Sequence, residues 1–141
     1  MIGKLYVVGT PIGNLSDFSP RAKETLASVD FIAAEDTRVT QKLLNFFDIK
    51  KPLVSYYEHN RRERGEMIIS RILGGEVCAI VTDAGMPCIS DPGQDLVYLC
   101  HESGIQVESV PGPTAFATAL AISGMESGRF TFEGFLSTNK P

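Results

Sequence analysis

The chain has 141 residues, of which 43% are apolar and 21% are charged, an ordinary composition for a single packed domain. Its net charge of −4 argues against a domain that binds nucleic acid through an overall positive charge. Any contact with nucleic acid must therefore be local or shared with another domain or chain. Three cysteines and two histidines fit neither a disulfide framework nor a zinc site, and we predict that the protein holds no metal. The lack of a long apolar run and of a signal peptide predicts a protein of the cytoplasm with no membrane partner.

Short β-rich runs alternate with helical patterns along the chain. This order predicts a three-layer α/β domain, in which helices cover both faces of a mainly parallel five-stranded sheet. The predicted strands cover residues 5–8, 31–34, 53–56, 77–81 and 106–110. The predicted helices begin near residues 20, 38, 62, 94 and 115, the first with Ser19 as N-cap ahead of Pro20 and the third closed by Gly74 and Gly75.

Apolar spacing assigns an inner face to two of these helices. In the second helix, the side chains predicted to point toward the sheet are Leu43, Leu44, Phe46 and Phe47. In the fifth helix, Thr114 is predicted to cap the first turn, and the residues that share one face are Phe116, Ala119, Leu120 and Ser123.

The pattern changes after residue 124, and we predict a domain boundary there. Residues 1–124 form the α/β domain, and residues 125–141 are expected to be a linker and the first strand of a second domain. Residues 129–135 are the predicted strand, because apolar and polar side chains alternate there. A sixth edge strand of the same sheet is the alternative.

Three loops rich in glycine and proline follow strands one, four and five, at residues 9–14, 83–93 and 111–115. Ligands of parallel sheets bind outside the carboxyl ends of the strands, so we expect these loops to gather at one edge and to form a ligand site. Glycine lets the main chain approach a ligand closely and proline keeps a loop rigid, which suits a flat, polar small molecule. The alternative is three tight turns without a ligand. The first loop matches neither the triphosphate motif G-x-x-x-x-G-K-[ST] nor the dinucleotide motif G-x-G-x-x-G.

Five segments carry a family resemblance, and they occur in order: VVGTPIGNLSD at 7–17, AEDTR at 34–38, SYYEHN at 55–60, TDAGMPCISDPG at 82–93 and VPGPTA at 110–115. Together they resemble the tetrapyrrole methylase superfamily, and within it the branch that methylates a cytidine ribose 2′-hydroxyl of small-subunit ribosomal RNA. The resemblance implies two α/β domains with S-adenosylmethionine in the cleft between them, a homodimer, and small-subunit ribosomal RNA or the 30S subunit as partner. The chain departs from the pattern by stopping where the second domain of the family would begin.

The resemblance also implies roles for individual residues. Methyl transfer from a sulfonium is an in-line displacement, so the protein must align the nucleophile, the methyl carbon and the sulfur. The residues that the resemblance assigns to the cofactor are Asp83, Ala84, Gly85, Pro113, Thr114 and Ala115, with Pro11, Ile12 and Gly13 closing the pocket. Asp83 has an alternative role as a turn-former that accepts hydrogen bonds from nearby main-chain N–H groups.

A ribose hydroxyl is a poor nucleophile at neutral pH, so a base or a hydroxyl-polarising group is expected near it. The candidates are Glu35, Asp36 and Glu58, which lie at predicted strand ends or just after them. Each of them also fits a structural role as a helix cap or an ion-pair partner. Asp36, two residues before Arg38, is an example of such a pair.

One basic patch stands out, because Arg61, Arg62 and Arg64 lie close to Tyr56 and Tyr57. Arginine and aromatic side chains together suit phosphate contacts and base stacking in single-stranded RNA. A solvated helix start, in which acidic residues dilute the charge, is the alternative. Two other functions also stay open: methylation of a tetrapyrrole by the same fold, and a non-catalytic module for dimerisation or binding.

Overall fold

The computed structural model describes residues 1–139, in which five strands form one sheet and all neighbouring strands run parallel. The strands are β1 (Lys4–Val8), β2 (Phe31–Ala34), β3 (Leu53–Ser55), β4 (Cys78–Val81) and β5 (Gln106–Val110). The helices are α1 (Pro20–Ser28), α2 (Thr37–Phe46), α3 (Arg61–Leu73), α4 (Gln94–Glu102) and α5 (Ala115–Ile122). The predicted α/β class is confirmed, with a wholly parallel sheet of strand order β3-β2-β4-β1-β5.

Local sequence explains where several elements begin and end. The Ser19 hydroxyl accepts a hydrogen bond from the Ala22 N–H at 3.0 Å, and Pro20 occupies the first turn of α1, as predicted. Gly74 is the C-cap of α3, and Gly75 follows it at a φ of +108°, a left-handed conformation that favours glycine. Strand β3 ends at Ser55, one residue before its predicted end, although the Tyr56 N–H still donates to the Ala34 carbonyl oxygen at 2.8 Å.

The core consists of two hydrophobic clusters, one on each face of the sheet. Leu26 of α1 and Leu44 of α2 belong to one cluster, and Ile72 of α3 and Leu96 of α4 belong to the other. Strand β4 contributes to both clusters, because its successive side chains point to opposite faces. Each fully buried aliphatic side chain of this kind contributes about 1.5–3 kcal/mol to folding.

The topology positions a crevice at the centre of the sheet. Strands β1 and β4 are neighbours, but the chain leaves β1 toward α1 on one face and leaves β4 toward α4 on the other. A place where two neighbouring strands send the chain to opposite faces, outside their carboxyl ends, is the usual ligand site of such sheets.

Two of the predicted inner faces need correction. Phe46 is not turned toward the sheet, because its side chain is 65% exposed. Residues two apart on a helix are separated by about 200°, so the burial of Leu44 directs Phe46 to the outside.

In α5 no residue is buried, and only Phe116 and Leu120 of its predicted face are partly covered. Thr114 is the N-cap of α5 by position, but its hydroxyl donates to the Gly112 carbonyl oxygen at 3.3 Å and caps no helix N–H.

The segment after α5 contains no strand within the described residues. Residues 129–135, the predicted strand, have no strand conformation, and among residues 1–139 no strand lies alongside them. Instead the segment returns toward α5, where the Phe132 ring lies 4.6 Å from the Phe116 ring, centroid to centroid. Residues 140 and 141, the last of the predicted linker and strand, lie outside the described residues.

Across residues 1–139, none of the helices combines the length and the apolar character that crossing a bilayer demands.

Candidate functional site

The loops after β1 and β4 are joined by main-chain hydrogen bonds. The Thr10 N–H donates to the Gly85 carbonyl oxygen at 3.0 Å, and the Gly85 N–H donates to the Thr10 carbonyl oxygen at 3.1 Å. Thr10 is buried, and its hydroxyl lies 3.3 Å from the Thr82 carbonyl oxygen. The two loops therefore form one connected rim outside the carboxyl ends of the central strands.

The loop after β5 meets the same rim through a contact between two glycines. A Cβ atom on Gly9 would lie 2.6 Å from the Gly112 Cα, and one on Gly112 would lie 2.7 Å from the Gly9 Cα. Such distances are too short for any side chain, so both positions require glycine. A Cβ atom on Gly85 would lie 3.1 Å from the Pro113 carbonyl oxygen and 3.2 Å from Ile12 Cγ2. All three loops thus converge at one edge, as the sequence predicts.

The loop at 82–93 has the unusual backbone that its composition predicts. Gly85 and Gly93 have φ values of +87° and +124°, and two residues with side chains, Cys88 and Ser90, have φ values of +74° and +49°. Left-handed conformations are uncommon for residues other than glycine and are enriched at functional sites. Gly93 packs so closely that an added Cβ would lie 2.7 Å from Cys88 Sγ.

Two cavities open on this rim. The first, which we name the rim cavity, has a volume of about 320 Å³ and lies between the 84–91 loop, the start of α5 and the returning segment at 132–135. Four residues of the predicted cofactor set line it: Ala84, Gly85, Thr114 and Ala115.

The second, which we name the α2 groove, has a volume of about 510 Å³ and runs between the loop at 11–15 and α2. Pro11, Gly13 and Asp83 of the predicted set line this groove instead. Ile12 and Pro113 are in the lining of neither cavity, but both lie close to Gly85. The structure therefore places some of the predicted cofactor residues in the rim cavity and others in the α2 groove. Thr82 lines both cavities.

Carboxylates gather beside Thr82. The Thr82 hydroxyl lies 3.4 Å from Glu35 Oε2, within hydrogen-bond distance. Partial burial and the nearby charges of Asp91 and Asp83 raise the pKa of Glu35, because each disfavours a further negative charge. Burial also raises the pKa of Asp91, whose Oδ2 atom is buried with no hydrogen-bond partner within residues 1–139. Of the candidate bases, Glu35 is the one held in an environment that favours proton uptake.

Asp36 has a different environment, although it is the next residue along the chain. It is the N-cap of α2, where its carboxylate accepts from the Arg38 N–H at 3.0 Å and forms an ion pair with the Arg38 guanidinium at 3.1 Å. These hydrogen bonds from Arg38 lower the pKa of Asp36. Its main-chain N–H donates to Asp83 Oδ1 at 3.3 Å, so Asp83 accepts from a residue 47 positions away and not from a nearby N–H group of its own turn.

Glu58 does not lie with the other carboxylates beside Thr82. Its side chain is 64% exposed and forms an ion pair with Arg61 at 3.4 Å. Arg61 also lies 3.6 Å from Asp95 of α4, and the Tyr56 hydroxyl donates to the other oxygen of Asp95 at 2.7 Å. Burial, followed by this contact with Asp95, raises the pKa of Tyr56. This network fixes the beginning of α3 against α4.

Arg61, Arg62 and Arg64 are all exposed at the beginning of α3. Cations are unfavourable in the first turn of a helix, where the macrodipole is positive. The Tyr57 side chain lines a polar depression that it shares with Glu35, Asp36 and Asp83, so the basic segment adjoins the carboxylates.

Sequence reasoning missed Thr82 and Asp91. Both lie within the TDAGMPCISDPG segment, yet the buried, unpartnered Oδ2 atom of Asp91 becomes visible only when the loop is folded. Thr82 directly follows the buried strand β4. A polar residue at that position is a signal in the sequence that could have identified Thr82.

A parallel sheet with a rigid rim of glycine-rich turns, two adjoining cavities and a group of carboxylates defines a small-molecule-binding α/β domain of the kind found in enzymes. The chain belongs to the tetrapyrrole methylase family, since residues 4–141 match the family of tetrapyrrole (corrin/porphyrin) methylases. This confirms the resemblance seen in the five sequence segments.

Two relatives are close in sequence. The chain is 55% identical over 141 residues to the ribosomal RNA small subunit methyltransferase I of Synechocystis sp., covering 99% of this chain and 50% of that protein. It is 53% identical over 139 residues to the protein of the same name from Thermotoga maritima, covering 99% of this chain and 63% of that protein. The chain thus spans about half to two thirds of the length of these relatives.

The fold is similar to that of the uroporphyrin-III-C-methyltransferase from Thermus thermophilus, with a TM-score of 0.66. The two share 24% sequence identity over 88% of this chain and 53% of that structure. At this level of identity the likeness concerns the fold alone.

Proposed function

We propose that this chain is the S-adenosylmethionine-binding N-terminal part of an enzyme that methylates a cytidine ribose 2′-hydroxyl in small-subunit ribosomal RNA. The observation that carries the proposal is the convergence of three rigid turns on one rim, directly beside Glu35 and Asp83. The names of the two sequence relatives support small-subunit ribosomal RNA as the acceptor, and the family resemblance implies the cytidine ribose 2′-hydroxyl. The proposed domain boundary lies after residue 124.

The rim cavity suits the cofactor by its shape and donor set. Apolar side chains such as Met86 and Phe116 line one part of it, while main-chain groups of Gly85 and the side chain of Asp91 line another. The buried Oδ2 atom of Asp91 lacks a partner within the described chain, and a hydroxyl or ammonium group of the cofactor would satisfy it. When bound, S-adenosylmethionine supplies an electrophilic methyl group.

Thr82 and Glu35 lie where the acceptor would approach. Thr82 borders both the rim cavity and the α2 groove, so an acceptor held in the groove meets the methyl group at this residue. Glu35 then accepts the proton of the attacking hydroxyl, for which a raised pKa is favourable. Asp36 and Glu58 serve as a helix cap and an ion-pair partner in this proposal.

The arginines at the beginning of α3 supply the contact to RNA phosphates. Arg62 and Arg64 are exposed, and Arg61 is held by Glu58 and Asp95. A local patch of this kind compensates for the net charge of −4. The proposal includes action as a homodimer in the cytoplasm, as the family resemblance implies.

Calorimetry with S-adenosylmethionine tests the cofactor site. We expect the full-length protein to bind it and Asp91→Asn to weaken binding by about tenfold, the factor for the loss of ~1.4 kcal/mol in a charge-assisted hydrogen bond. Asp48→Asn, at an exposed position that lines neither cavity, is the matched control and should leave binding unchanged. If neither the full-length protein nor this chain binds the cofactor, the methyltransferase proposal is wrong.

Transfer of a radiolabelled methyl group tests the acceptor. Unmodified 30S subunits, free small-subunit RNA and a porphyrinoid are offered to the full-length protein, and ribose methylation is mapped on the RNA. We expect label on a single ribose, and Glu35→Gln should lower kcat by roughly 10²-fold or more, the usual contribution of general base catalysis. Label on the porphyrinoid alone would overturn the RNA assignment.

A further inference from the structure

Phe46 occupies a position that the packing of α2 does not explain. Its side chain is 65% exposed, whereas the neighbouring Phe47 packs on Phe18 with ring centroids 5.1 Å apart. The Phe46 ring meets Phe47 edge-on at 5.0 Å, which fixes its orientation and leaves a face free. An exposed phenylalanine alone is unremarkable, but this one lines the α2 groove.

The walls of the α2 groove are mainly apolar. Leu15 from the loop after β1 faces Val39, Leu43 and Phe46 from α2. Leu15 and Val39 are each 40% exposed, so the groove is an open cleft lined by side chains that water reaches. Its volume of about 510 Å³ lies in the range of small-ligand sites.

The two ends of the groove differ in chemistry. Thr82 and Asp83 lie at the inner end, where the groove adjoins the rim cavity. Lys42 contributes a cation to the lining from α2, and it forms no ion pair within residues 1–139. A ligand that fills the groove therefore needs an apolar planar part, a polar group at one end and a negative charge.

A nucleotide has these three parts in one unit. Proteins that recognise single-stranded RNA stack unpaired bases on aromatic side chains and contact the phosphates with cations. With its base on Phe46 and its phosphate at Lys42, the ribose of such a nucleotide would lie toward Thr82, beside the rim cavity. A methyltransferase that acts on ribose needs its acceptor in that place.

We infer that the α2 groove binds the nucleotide that is methylated, with its base, a pyrimidine, stacked on Phe46. This inference rests on the proposed function and adds to it the element that holds the target base. It makes Phe46 a base-binding residue, and no covalent step involves it.

The test compares Phe46→Ala with the wild type in the full-length protein, using an RNA that contains the methylated position. We expect the KM for this RNA to rise about tenfold, the factor that corresponds to ~1.4 kcal/mol of base–aromatic stacking. The kcat and the Kd for S-adenosylmethionine should stay within about twofold, and Phe46→Tyr should restore the KM because it retains the ring. Tyr98→Ala, at a 61% exposed aromatic of α4 outside both cavities, is the matched control.

An RNA with an abasic ribose at the target position completes a double-mutant cycle, because this ribose keeps its 2′-hydroxyl. Phe46→Ala should change the KM for the abasic RNA by less than about twofold if the base and the ring interact. An equal loss with both RNAs, or no loss with either, overturns the inference. If Phe46→Ala instead dissociates a dimer in sedimentation, the groove is an interface between copies and the inference is wrong. A wild type that methylates no RNA refutes the proposed function itself, which is a different result.

Discussion

Gly9→Ala would place a methyl group between two main chains that are in contact. The new Cβ would lie 2.6 Å from the Gly112 Cα, 2.8 Å from the Gly112 nitrogen and 2.9 Å from Met86 Sδ. The methionine side chain can move, but the Gly112 main chain is held by the strand before it, since the Gly9 N–H donates to the Val110 carbonyl oxygen at 3.1 Å. Overpacking of this kind costs about 1–3 kcal/mol. For a domain near this size, that cost corresponds to a drop in Tm of roughly 3–12 °C.

Thermal unfolding followed by circular dichroism measures this change. Gly128→Ala is the matched control, because an added Cβ there meets nothing closer than Glu126 Oε1 at 3.9 Å. The control should stay within about 0.5 kcal/mol of the wild type, the range of most surface substitutions. If Gly9→Ala melts together with the control, the loops after β1 and β5 do not touch, and the converging rim on which the proposed function depends is wrong.

Two further predictions concern the groups around the site. The raised pKa of Glu35 means that the folded state binds its proton more tightly than the unfolded chain, so stability should fall as the pH rises from about 4.5, the ordinary value for glutamate. Glu35→Gln should flatten this part of the pH profile of the Tm, measured from pH 4 to 8, and an unchanged profile would contradict the assignment. Tyr56→Phe should lower the free energy of unfolding in urea by about 1–2 kcal/mol, because it removes the hydroxyl that donates to Asp95 at 2.7 Å. Tyr98→Phe, on an exposed ring, should have no measurable effect, and equal losses in the two variants would show that the contact with Asp95 is not made.

The sequence predicts the sheet well because its strands have strong local patterns. Strand β2 was predicted with the bounds that it has, and so was β5. The convergence of the loops also followed from a general rule, since all strands of a parallel sheet end at the same edge. These features depend on periodicity and topology, which a sequence displays directly.

Features that depend on packing between distant segments were harder to predict. Phe46 looks like a core residue by composition, but the sheet accepts one face of α2, and that face is set by Thr40 and Leu44. The segment at 129–135 has the alternation of a strand, yet a strand forms only beside a partner, and the described chain offers none. The division of the predicted cofactor residues between two cavities follows from where α2 and α5 lie, which no local motif encodes.

Two of the three hydrogen bonds between Thr10 and Gly85 join main-chain atoms, and these two do not depend on which side chains evolution places around them. Because peptide groups make these bonds, side chains outside the close contact of Gly9 with Gly112 can be replaced without breaking them. Selection can therefore alter side chains that line the α2 groove, such as Phe46 and Leu15, while the main-chain framework of the rim persists. The fold that the chain shares with the uroporphyrin-III-C-methyltransferase of Thermus thermophilus at 24% sequence identity is what a framework held by main-chain atoms would preserve.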